Sequence, residues 1–206
     1  MSGRLGLGLA VLALAVLGAS GPAVRSGLVS YTVGILMLPA AGLLGLAGAV
    51  FGAIALFRRT GVARSLFALV LGVSVAAIPA AAYVRARSVP PINDISTDPS
   101  ESSAAQRAAY PDLQPLHLAE APGIAFARAK DAAERAGWQI VRADPSAGRI
   151  EAVATTLWFG FKDDVIVRIA AEADGSRVDV RSKSRVGRSD LGTNAQRIRA
   201  YQRRLR

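Results

Sequence analysis

The chain has 206 residues, is 51% hydrophobic, contains no cysteine and carries a formal net charge of +10. The absence of cysteine excludes disulfides, thiolate nucleophiles and cysteine-based metal sites. All 15 acidic residues lie at or after Asp94, and the first 87 residues hold only seven charges, Arg4, Arg25, Arg58, Arg59, Arg64, Arg85 and Arg87. The pattern is a membrane segment joined to a soluble domain. The chain after Ser88 has 18 basic against 15 acidic residues, a net of +3, so no nucleic-acid partner is expected.

Leu5 to Leu17 is unbroken and apolar. It reads as a signal peptide with Gly18-Ala19-Ser20 as cleavage site, or as a first span from Leu5 to about Gly21. The further spans behind it favour the span, as do its alanines and glycines, which suit helix association. Leu28 to Phe57 carries no charge and is longer than a straight span needs, with Pro39 as a candidate kink; its second span covers about residues 30–57. Gly42, Gly45, Gly48 and Gly52 recur along its second half. Gly48-x-x-x-Gly52 fits close helix–helix approach and offers a face to a membrane-protein partner. Arg58, Arg59 and Gly61 break the run. Residues 62–84 form the next span, with Tyr83 at an interface position. No Asp, Glu, Lys or His lies inside a span, which argues for an anchor in the lipid bilayer rather than a transport pathway.

Residues 88–118 are proline-rich and read as a linker, part of it lying along the domain surface. The soluble α+β domain is expected over 119–206. Pro122 to Ala136 has Phe126, Ala129, Ala133 and Ala136 at helical spacing, with Gly137 behind it as the terminating residue. Four alternating segments follow, at 138–143, 149–155, 164–170 and 176–185, the last two joined around Asp174-Gly175. Thr193-x-x-Gln196 reads as a capping box opening a last helix, with Ile198, Tyr201 and Leu205 on one side. The soluble part is thus an α-β-β-β-β-α domain with an antiparallel sheet, carried on three transmembrane helices, or on two plus a signal peptide.

Four motifs carry a family resemblance: Pro91-Ile-Asn-Asp-Ile-Ser-Thr-Asp98, Ala147-Gly-Arg-Ile-Glu-Ala152, Thr155-Thr-Leu-Trp-Phe-Gly-Phe-Lys-Asp-Asp164 and Ser184-Arg-Val-Gly-Arg-Ser-Asp-Leu-Gly192. From about Pro90 to its end the chain resembles DUF1499, an uncharacterised bacterial family of membrane-attached and exported proteins. The family's first motif has His where this chain has Asn93, so no direct role is carried over to that position. The resemblance implies no particular activity.

Candidate sites follow from residue chemistry. Asn93, Asp94, Ser96, Thr97 and Asp98 cluster oxygens, but without the spacing of a cation loop, and read as a self-bonding surface turn. Asp163 and Asp164 are adjacent on a strand and point to opposite faces, which handicaps a shared catalytic role. His117 is the only histidine and has no partner by spacing, so no metal, no cofactor and no catalytic residue is expected. Trp158, Phe159 and Phe161 form a dense aromatic turn that closes the sheet core or touches a partner or a membrane. Arg185, Arg188, Asp190 and Thr193 precede a helix N-terminus and make either a structural ion pair or an anion site.

The expected function is a membrane-anchored extracytoplasmic domain for binding or envelope organisation, not an enzyme. The alternatives are a hydrolase-like enzyme using Asp163, Asp164 or Asp190, and an accessory subunit of a larger membrane complex. Arginine counting puts the loop with Arg58, Arg59 and Arg64 in the cytoplasm and the C-terminal domain outside it, periplasmic in a two-membrane bacterium. The chain would then be a multi-pass protein of the inner (cytoplasmic) membrane.

Overall fold

A computed structural model describes residues 2–206, which divide into two compact units. The first unit holds helices α1 (Ser2–Arg25), α2 (Tyr31–Phe57) and α3 (Val62–Ser88) up to Arg85, together with residues 157–160. All three helices are long and apolar enough to cross a membrane. They run antiparallel in sequence. A Cβ at Gly48 would sit 2.8 Å from the Ala10 amide nitrogen of α1, and one at Gly52 would sit 2.8 Å from the Leu69 nitrogen and Ser65 carbonyl of α3. Gly45 and Gly72 approach each other as closely. Only glycine admits such backbone contact. The approach expected of Gly48 and Gly52 is therefore made within the chain, and the face offered to a partner protein is covered by α1 and α3.

The second unit spans residues 86–156 and 161–206. It is α+β, with a terminal helix and an antiparallel sheet. The sheet has six strands: β1 (Asp94–Ser96), β2 (Leu116–Leu118), β3 (Gln139–Asp144), β4 (Arg149–Thr155), β5 (Lys162–Glu172) and β6 (Gly175–Ser184). β6, β5, β4 and β3 follow one another as a meander, while β1 and β2 share the outer edge of β6. Three helices belong to this unit: α4 (Ala104–Ala109), α5 (Pro122–Arg135) and α6 (Thr193–Leu205). The stretch expected as a linker thus contributes two edge strands and a short helix. Its prolines lie between these elements and leave each three-residue strand free to donate.

The core lies on one face of the sheet. Ile150, Ala152 and Ala154, then Val165, Val167 and Ile169, then Val178 and Val180 point into it, and α5 and α6 cover it. Tyr201 of α6 is fully buried, stacks on Trp138 at 4.7 Å and donates its hydroxyl to the Ala129 carbonyl at 2.7 Å. Burial pushes its phenol well above the usual range. α5 ends as its glycine predicts: Gly137 takes φ +75°, and the Trp138 amide donates back to the Ala133 carbonyl.

Candidate functional sites

The motifs singled out in the sequence converge on a buried polar network at the α6 end of the sheet. Asp163 is the first residue of β5 on the core face, where its neighbours two and four positions on are valines. A carboxylate there needs a partner, and Arg197 of α6 supplies it. The same guanidinium donates to Ser182 Oγ at 2.9 Å and to Asn194 Oδ1. Ser182 also donates to Asn194 Oδ1 at 2.7 Å. Asn194 Nδ2 donates to the Asn93 carbonyl and to Ser184 Oγ, both at 3.0 Å, and Asn93 Nδ2 donates to the Gly187 carbonyl at 2.5 Å. The network fastens the approach to β1, strands β5 and β6, and helix α6 to one another. Its polar groups are spent on one another, which makes it a structural pin. Sequence reading missed Arg197 and Asn194. The signal was the position of Asp163 in the alternation with Val165 and Val167, on the side that faces the core.

The α6 N-terminus is filled by the chain's own carboxylate. Asp190 accepts from the Gly192 amide at 2.8 Å and from the Asn194 amide at 2.6 Å. The helix N-cap is Gly192 with φ +76°, and Thr193 is already helical, so the expected capping box is not formed. Asp190 reaches the amides from outside the helix instead. Arg185 pairs with Asp164, its Nε and Nη2 donating at 3.0 and 2.6 Å, and this pair holds the guanidinium above its ordinary pKa. Among the described residues no ion pair joins Asp190 to Arg185 or Arg188. Arg185 and Asp190 are close in sequence, but their charged groups go to separate partners.

The open face of the sheet carries alternating charges. Arg149 pairs with Glu151 at 2.7 Å, Arg168 with Glu101 at 2.7 Å, and Arg181 with both oxygens of Asp94. The hydrogen-bonded Arg181 holds the Asp94 carboxyl below the usual carboxylate range, with Lys183 adding to it against the opposing effect of burial. A concavity of about 500 Å³ on this face is lined by Val141, Ile166, Arg149, Asp164, Arg181 and others, and contains neither Asp163 nor Asp190. The oxygens of the Asn93–Asp98 cluster are likewise spoken for. Asp98 accepts from Ser100, and Thr97 donates to Asp179 on β6. His117 pairs with Glu172 at 2.7 Å on the surface.

The aromatic turn between β4 and β5 divides. Its neck stays in the sheet unit: the Thr156 amide donates to the Phe161 carbonyl, and the Phe161 amide to Thr156 Oγ1. Its tip, residues 157–160, belongs to the helical unit. Trp158 Nε1 donates to Ser20 Oγ at 3.3 Å, and Arg25 Nη1 donates to the Leu157 carbonyl at 2.7 Å. Phe159 and Phe161 are half-buried.

Residues 92–205, more than half of the chain, match a family described as "Protein of unknown function (DUF1499)". No curated protein and no solved structure matches.

Proposed function

Since the chain belongs to DUF1499, whose members have no established function, we propose that it is a membrane-anchored binding or envelope-organising module with its sheet domain outside the cytoplasm. The observation that carries this reading is the division of arginines between the two ends of the helical unit. Gly3 lies against Thr60 and Ser65, so Arg4 shares an end with Arg58, Arg59 and Arg64. Arg25, Arg85 and Arg87 lie at the other end, from which the chain continues into the sheet domain. The end richer in arginine faces the cytoplasm. The membrane concerned is the cytoplasmic one.

Binding is favoured over catalysis because the three candidate carboxylates are committed separately: Asp163 to Arg197, Asp164 to Arg185 and Asp190 to backbone amides. A hydrolytic pair needs two carboxyl groups facing one substrate.

An export-dependent phosphatase fused after Arg206 should be active, and a fluorescent protein that matures only in the cytoplasm should stay dark. The reverse pattern would overturn the orientation. In cells lacking their own copy, Asp164→Asn and Asp190→Asn should rescue whatever envelope defect the native chain rescues. Loss of that rescue at unchanged protein level in either variant would favour the enzyme.

A further inference from the structure

We propose that the tip of the β4–β5 connection is a membrane-interface clamp: Leu157 and Trp158 sit at the boundary between acyl chains and headgroups, held there by the end of α1. The proposal rests on the reading that α1–α3 cross a bilayer. It adds to that anchor a second, discontinuous element drawn from the middle of the family-matched region.

A connection that only reversed the chain would gain from polar residues. This one carries Leu-Trp-Phe, with Leu157 88% exposed and Trp158 49% exposed. In water that exposure is a liability. The tip is nevertheless fixed. Beyond the Trp158–Ser20 and Arg25–Leu157 hydrogen bonds, the backbone leaves no slack: a Cβ at Gly21 would lie 2.4 Å from Trp158 Cδ1, and Gly160, at φ +69°, packs on the Arg25 side chain. Glycine is required at residue 21 so that the indole can lie against the helix, and at 160 by its left-handed backbone.

The place of this docking gives the depth. α1 has 24 residues, about 36 Å of helix against a hydrocarbon core of about 30 Å. Ser20 precedes the last residue, Arg25, by roughly 7 to 8 Å along the axis, so a centred helix puts it a few ångströms inside the boundary. Tryptophan favours that level, where its ring is in apolar surroundings and its N–H has a polar partner. Ser20 Oγ is that partner. The other aromatic residues of this kind in the helical unit lie at the same end. Tyr31 opens α2 and is 43% exposed, and Tyr83, near the end of α3, is 61% exposed. The opposite end carries phenylalanine only, at Phe57 and Phe67. Arg25 has its guanidinium turned back onto the Leu157 carbonyl, so the residue that marks the end of the span also closes the clamp.

The experiment uses the full chain with Trp138→Phe, which leaves Trp158 as the only tryptophan. It is reconstituted into phosphatidylcholine–phosphatidylglycerol vesicles whose acyl chains are brominated either near the ester end or near the methyl end. Bromine near the ester end should remove most of the Trp158 emission, bromine near the methyl end much less, and aqueous iodide should have little effect. Should Trp138→Phe not fold, the difference between the native chain and Trp158→Phe isolates the same emission. If the protein floats with the vesicles but Trp158 is quenched by iodide and not by bromine, the clamp is wrong and the anchor stands. The same result would follow if another protein covers the turn. If the protein does not float with vesicles at all, the anchor and the clamp both fail.

Discussion

In the helical unit most buried positions are glycine or alanine, among them Gly6, Gly45, Gly48, Gly52, Ala41 and Ala49; in the sheet unit they include large side chains such as Val165, Val167, Val178, Ile198 and Tyr201. One unit brings backbones together, where large side chains can face lipid. The other fills the space between a sheet and two helices with large side chains and keeps water out of it. Lipid gives no hydrophobic reward for helix association, so contact must come from close approach of backbones. Water gives that reward, and the sheet unit also holds a buried ion pair. A given substitution should therefore act very differently in the two units.

The largest effect is expected at Arg197. Arg197→Met strands Asp163 in the core and should cost the sheet unit about 3–5 kcal/mol, measured by chemical denaturation. Adding Asp163→Leu should recover most of that loss, because the cost lies in the unpaired charge. If the single variant were neutral, Asp163 would not be buried as described. In the helical unit the matching break is Gly48→Leu, for which overpacking against the Gly6 and Ala10 backbone should cost about 1–3 kcal/mol in detergent. Gly8→Leu, where nothing lies within 4 Å, should change little. Equal effects at the two glycines would contradict backbone packing as the organising contact.

Much of this was legible in the sequence, and the misses have physical causes. Spans, α5, the four-strand meander and α6 follow from local periodicity, and the structure keeps them. β1 and β2 do not. Each is three residues long, and their partners on β6 lie about 60 to 90 residues away, so no local pattern marks them. The α6 cap was misplaced because Thr193-x-x-Gln196 satisfies the capping pattern, while the helix starts one residue earlier and Asp190 accepts from the Gly192 and Asn194 amides after a turn at Leu191 and Gly192, both with positive φ. For the arginines, sequence proximity proved a poor guide. Arg185 lies five residues from Asp190, yet the register of β5 and β6 sets it beside Asp164.

Smaller effects sharpen the contrast within the sheet unit. Asp190→Ala should cost about 1 kcal/mol, the usual loss of a helix cap, with Asp190→Asn close to native. Arg185→Ala should leave the denaturation midpoint unchanged, because the pair with Asp164 is exposed. The pH dependence should be smallest. Asp94 and Asp112 are lowered in the folded state by Arg181 and Arg199 from an ordinary value of 3.8. Their contribution is therefore complete above that value and is lost as the pH falls through the lowered one. The midpoint should be flat down to about pH 4 and fall below it.

The most direct test of the account is which side of the membrane each end of the helical unit faces. The chain lacks cysteine, so one introduced thiol reports a single position. Ala147→Cys lies in an exposed turn of the sheet unit, and Thr60→Cys in the exposed loop between α2 and α3. In spheroplasts of an expressing bacterium, a membrane-impermeant maleimide should label Ala147→Cys at once and Thr60→Cys only after lysis. Labelling of Thr60→Cys in sealed spheroplasts, with Ala147→Cys protected until lysis, would put the sheet domain in the cytoplasm and contradict the account.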